Sequence, residues 1–140
     1  MILSQRKQRI IGPESIAPIL YSILNSEDAT DQDKEHFWVV GLNGTNVIQY
    51  LELACLGILN RCNAHPREIF RLAITKAVNS IIVAHNHPSG NLDPSDEDRE
   101  ITRKLVESGE ILGIPVMDSM IIGNLENPGA FYSFHDNAEL

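Results

Sequence analysis

The chain has 140 residues, with 11 Lys and Arg against 19 Asp and Glu and a formal net charge of −8, enough for one core and too short for two typical domains. Such a balance repels a polyanion at long range, which disfavours direct nucleic-acid binding unless a local basic patch exists. No run approaches the ~20 apolar residues that a bilayer span needs, and the first seven residues lead into no apolar signal segment, so the expected setting is the cytoplasm, with no membrane partner.

Residues 13–24 place apolar side chains at positions 16, 19, 20, 23 and 24, the spacing of a short packing helix. The polar and acidic stretch 25–34 reads as a solvated connector. Residues 37–42 and 47–56 are apolar and rich in β-formers on either side of Asn43-Gly44-Thr45-Asn46, where Asn-Gly supplies positive φ for a hairpin. Pro66 suits the first turn of a helix running to about Val78 that buries Ile69, Phe70, Ala73, Ile74 and Ala77. His65, just ahead of it, reads as a polar cap. Arg61, Arg67, Arg71 and Lys76 form a small basic patch or a solvated helix face. The two cysteines, Cys55 and Cys62, are too few for a secreted scaffold and read as buried free thiols.

Between residues 80 and 103 lies the most informative segment, in which His85, His87, Ser95 and Asp98 form an H-x-H-x7-S-x2-D pattern. Residues 80–84 are a β-branched run typical of a buried strand. If that strand continues, His85 and His87 share one face and Asn86 turns to the other. Residues 88–94 are dense in turn formers and bring Asp98 back toward the histidines. Two imidazoles and a carboxylate are three ligands of a catalytic zinc whose fourth position stays open to water. Ser95 to Asp98 also read as an N-cap with an acidic first turn, the way many metal-free helices begin. The helix from Ser95 buries Ile101, Leu105, Val106 and Leu112, with Gly109 as a candidate terminus. Residues 115–122 and 130–134 supply the last strands, separated by an Asn127-Pro128-Gly129 turn. That order gives an α/β sandwich with a mixed sheet.

With these residues in view, the chain resembles a RadC-type JAB domain of the JAMM/MPN+ metalloprotease superfamily. The likeness rests on H-N-H-P-S-G (85–90), P-S-x-x-D (94–98), Glu35 to Val39, Gly57-Ile58-Leu59-Asn60, His65 to Phe70, residues 112–116 and 121–123, and Tyr132-Ser133-Phe134. It covers about residues 35–134, with 1–34 as an N-terminal helix and acidic connector and 135–140 as a tail. Two departures stand out: Ile58 replaces the threonine of a G-T-L-N segment, and these 140 residues have no room for the amino-terminal helix-hairpin-helix region of full-length members.

The resemblance implies a single JAB/MPN-like, cytidine-deaminase-like domain, a mixed β-sheet sandwiched by helices, holding Zn2+ on His85, His87 and Asp98. It makes Glu35 the proton shuttle beside the metal-bound water, with Glu52 as a rival base, and gives Ser95 a hydroxyl that donates to the tetrahedral intermediate. A strand-edge charge is the plainer role for Glu35. Strand parity separates Glu35, Phe37 and Val39 from His36 and Trp38, so Glu35 and His36 cannot both reach the metal without a bulge. His135 lies in the tail with no role. The implied activity is zinc-dependent hydrolysis of a peptide or isopeptide bond, with a peptide or protein as partner. The alternative is a module tied to DNA repair or mobile elements, retaining a structural zinc and no peptidase activity; by that resemblance nucleic-acid contact stays open. Exposed strand edges allow an oligomer.

Overall fold

The structure, a computed structural model, describes residues 2–3, 8–57 and 64–140. In chain order the elements are β1 (Ile2–Leu3), α1 (Pro13–Ser26), α2 (Ala29–Gln32), β2 (Glu35–Leu42), β3 (Ile48–Gly57), α3 (Pro66–Thr75), β4 (Ser80–Asn86), α4 (Asp96–Leu112), β5 (Val116–Ile122) and β6 (Phe131–Ser133). They build one six-stranded mixed sheet in the order β1-β3-β2-β4-β5-β6. Among the described residues only β4 and β5 run parallel, because α4 carries the chain back across one face between them; every other described pair is antiparallel.

Alternation along the central strands divides the core in two. Trp38, Val40, Ile82, Ala84, Met120 and Ile122 face α1, where Ile16, Leu20 and Leu24 are buried at helical spacing. Phe37, Val39, Ile81 and Val83 face α3 and α4, which bring Ile69, Phe70, Ala73 and Leu105. This is the expected α/β sandwich. A register shift beside Phe37 is absorbed on β3, where Leu53 pairs with Trp38 and Cys55 with Phe37, so β2 keeps its own alternation.

Several local expectations change. The positive φ of the β2–β3 hairpin sits at Asn46 (φ 62°), not at Asn-Gly, and Asn43 braces the loop by accepting from the amides of Thr45 and Val47. The acidic connector holds a short helix, α2, capped by the Asp28 side chain. α3 stops at Thr75, leaving Ile74 and Ala77 exposed instead of buried. α4 runs past Gly109 and ends on Gly113, whose φ of 73° suits a left-handed cap, and Leu112 is exposed. Gly109 lies inside the helix, at a point where a Cβ would stand 2.5 Å from the Ile114 carbonyl oxygen. Cys55, expected as a buried free thiol, is half-buried and disulfide-bonded. Cys62, Arg61 and the Ile58-Leu59-Asn60 segment lie outside the described residues.

Beyond β6, Phe134 is buried and the tail folds back, with Glu139 accepting from Arg99 Nε at 2.9 Å and from the Tyr132 hydroxyl. Among the described residues no helix is long and apolar enough to cross a membrane.

Candidate metal centre

The end of β4 and the start of α4 meet on the α3/α4 side of the sheet. His85, the next-to-last residue of β4, is held against Phe37 of β2 by ladder pairing, the two rings 6.0 Å apart and parallel within 2°. His87, one residue beyond β4, stays extended because its amide donates to the Ile122 carbonyl at 2.8 Å. The pleat therefore aims both rings the same way, with centroids 5.1 Å apart.

Asp98 arrives from the first turn of α4. Ser95 caps that helix and Asp98 completes a capping box: Ser95 Oγ accepts from the Asp98 amide at 3.0 Å, and Asp98 Oδ2 accepts from the Ser95 amide at 2.9 Å. One carboxylate thus closes the capping box and stands within reach of both histidines. Its Oδ2 also lies 3.0 Å from His87 Nε2, and its Oδ1 lies 3.1 Å from His85 Nε2.

Candidate ligand atoms of the three residues all fall within 4.8 Å of one another. Two of them, His85 Nε2 and Asp98 Oδ1, are buried without a hydrogen-bond partner although they face each other at 3.1 Å. Burying such atoms unsatisfied is costly, and a cation between them removes the cost. Donors sharing one tetrahedral zinc at ~2.1 Å stand a little over 3 Å apart, so the donor set and its spacing fit a divalent metal. His87 Nδ1 lies 2.6 Å from the Asn91 carbonyl, which can only accept; the ring hydrogen is thereby placed on Nδ1 and Nε2 is left to face the cluster. Nothing in the residue types pointed to Asn91, since it acts through its backbone.

Electrostatics agree with the geometry. Burial works to raise the Asp98 pKa, but the close approach of His85, the His87 hydrogen bond and the Ser95 amide outweigh it and hold the carboxyl well below the usual range. His87 is raised, first by the Asp98 hydrogen bond against the opposing effect of burial, then by the Asn91 carbonyl and the charges of Asp98 and Glu35.

Glu35 shares its strand face with Phe37, and it lines a cleft of about 390 Å³ together with Asp33, Lys34, Gly57, His87, Pro88 and Ser89. Larger hollows lie along the outer side of α4 and beside α1, away from the histidines. Glu52 is elsewhere: it pairs with Val39, two rungs from the Phe37–His85 pair and on the next strand over. Burial raises its pKa against the pull of Arg71. Ser95 is exposed at the site, and as its oxygen accepts from the Asp98 amide its own hydrogen stays available to a neighbour. His65 is a cap, its Nδ1 accepting from the Arg67 amide at 3.1 Å. Arg67 and Arg71 are exposed and lie against Glu68, which dilutes any basic patch on that face. His135 is exposed beside Asp136.

Residues 12–139 match the family model described as the RadC-like JAB domain. The chain is 46% identical over 115 residues to a UPF0758 protein of Caldanaerobacter subterraneus subsp. tengcongensis, covering 82% of this chain and 47% of that protein. A UPF0758 protein of Desulforamulus reducens is 47% identical over 98 residues (70% and 43%), and one of Staphylococcus haemolyticus is 44% identical over 118 residues (84% and 50%). The chain spans about half the length of the curated relatives it matches. A six-stranded α/β domain with a His, His, Asp cluster on the H-x-H-x7-S-x2-D pattern, matched over nearly its whole length, belongs to the RadC-like JAB domain family.

Proposed function

We propose that His85, His87 and Asp98 ligate a zinc ion and that the protein is a hydrolase of the JAMM metalloprotease type, acting on a peptide or isopeptide bond. The observation that carries this is the facing pair of buried, unsatisfied atoms, His85 Nε2 and Asp98 Oδ1, with His87 Nε2 beside them. Zinc bound there supplies a Lewis acid for the amide carbonyl and a water whose pKa falls to roughly 7.

The remaining work falls to the chain. Glu35, on the histidine face of β2, accepts a proton from water and returns it to the departing amine. Ser95 donates its free hydroxyl hydrogen to the oxygen of the tetrahedral intermediate while its oxygen stays bound to the Asp98 amide. Lys34, Pro88 and Ser89 line the cleft through which a substrate reaches Glu35.

The test is metal analysis of purified protein, then assays on a panel of unstructured peptides and isopeptide-linked conjugates with and without chelator. Zinc at one per chain, with cleavage abolished by chelator and by Glu35→Gln, supports the reading. Zinc that stays bound while neither peptide nor isopeptide bonds are cut favours the alternative, a module with structural zinc working through partners in DNA repair or on mobile elements.

A further inference from the structure

Glu35 lies beyond the end of the ladder that ties its strand to the histidine strand. Pairing between β2 and β4 stops at Phe37–His85, so neither His36 nor Glu35 has a backbone rung to β4. The side chain of Asn86, the residue between the two histidines, reaches across instead. Asn86 Oδ1 accepts from the His36 amide at 2.6 Å, and Asn86 Nδ2 donates to the Lys34 carbonyl at 3.1 Å. Those are the two peptide groups on either side of Glu35.

A carboxamide carries a donor and an acceptor in one plane, so it can stand in for a peptide unit where no strand backbone is available. Asn86 is buried and its side chain lies on the α1 side of the sheet, as the pleat requires when His85 faces the other way. Its partners are themselves braced. His36, wholly buried and stacked on Trp38 with centroids 5.0 Å apart, sets Nδ1 2.8 Å from the same Lys34 carbonyl and Nε2 2.6 Å from Glu27 Oε2. The end of α1, the connector and the start of β2 are thereby fastened to the end of β4.

We propose that Asn86 is a positioning residue: its amide clamps the backbone on both sides of Glu35 and so fixes the Glu35 carboxylate relative to His85 and His87. This rests on the metal reading above and assigns a role to a residue that touches neither metal nor substrate. Without the clamp, the start of β2 keeps its rungs to β3, where Glu35 pairs with Gly57 and His36 with Leu56, but has no tie to β4, so Glu35 can shift relative to the histidines.

The experiment uses the full chain, zinc as the only probe, and NMR. In metal-free protein, Asn86→Ala speeds hydrogen exchange at the His36 amide by about tenfold while the His87 amide, bonded to Ile122, keeps its protection. On zinc addition the Glu35 side-chain carboxyl resonance of the wild type shifts, and in Asn86→Ala that response falls by half or more although zinc binds with unchanged stoichiometry. Asn86→Asp, which has the same shape and keeps the acceptor but not the donor, gives an intermediate response and serves where the alanine variant folds poorly. Wild-type protection of the His36 amide in the variants, or an undiminished Glu35 response, overturns the clamp. Wild-type protein that takes up no zinc overturns the metal reading and this one with it, an outcome visible before any variant is made.

Discussion

Ser95 and Asp98 hold each other through two reciprocal hydrogen bonds, and only one of the two uses the serine side chain. Ser95→Ala removes the hydroxyl cap, at a cost of about 1 kcal/mol in stability, yet leaves the Ser95 amide on Asp98 Oδ2. Zinc stoichiometry is expected to survive in this variant. Asp98→Ala removes both the cap partner and the proposed ligand, so zinc affinity drops by more than the roughly hundredfold upper range for residues that merely support a ligand. Equilibrium dialysis with zinc, paired with thermal melts, checks both; unchanged zinc occupancy in Asp98→Ala contradicts the ligand assignment.

The His87–Asp98 contact sets opposite pH trends for the metal-free and zinc-loaded protein. His87 is raised above its ordinary 6.5, so its contribution to the fold is complete below that pH and is lost as pH rises through the raised value. Asp98 is lowered from 3.8, so its contribution is complete above that pH and is lost only in stronger acid. Metal-free protein therefore loses part of its stability as pH rises above 6.5 and through the raised value. Zinc held by His87 needs the neutral ring, so the gain in melting temperature on adding zinc grows over the same rise. Melts with zinc and with chelator across a pH series that starts below 6.5 test this, and a gain that does not change with pH would remove His87 from the ligand set.

Asp118 is a buried carboxylate with three donors. Its Oδ1 accepts from the Ser119 and His135 amides at 2.7 and 3.0 Å, and its Oδ2 from the Ser133 hydroxyl at 2.6 Å. Burial pushes its pKa up despite those bonds, so the group favours the fold in acid and that contribution is lost as pH rises above 3.8. Asparagine has the shape of the carboxyl group without its charge. Asp118→Asn is expected within about 1 kcal/mol of wild type at pH 7, whereas Asp118→Ala strands three donors and costs roughly 2–4 kcal/mol in urea denaturation. Equal losses in the two variants would show that the charge itself matters.

Gly109→Ala sets helix propensity against packing. Alanine in mid-helix is favoured over glycine by about 1 kcal/mol, but the new Cβ would lie 2.5 Å from the Ile114 backbone oxygen, which cannot swing aside. Net destabilisation of roughly 1–3 kcal/mol is expected from chemical denaturation. A stabilised variant would mean that the turn after α4 yields readily.

Much of the site was legible because its residues obey local rules. A β-branched run ending in His-x-His fixes two rings by strand period, and a capping signature fixes Asp98 three residues after Ser95. Parity likewise placed Glu35 with Phe37, opposite His36. What could not be read were contacts between segments distant in sequence. Asn86 and Lys34 are 52 positions apart. Gly109 was misread for a nearer reason, since the turn that folds Ile114 back over it is not written in the residue types. The misjudged faces at Ile74 and Leu112 have a similar origin: both sit in the last turn of a helix, where apolar periodicity continues after the packing partner has ended.

Because Asp98 spends one oxygen on the helix it begins, and the two histidines are fixed by the ladder, the receptacle is assembled by the polypeptide alone. Chelation should then strip the cation from an intact scaffold, and reloading should be a matter of diffusion and proton release with no refolding step. In this respect the domain is the converse of a zinc finger: an ion bound there would be a late passenger, admitted to a frame that the sheet and a serine cap have already made.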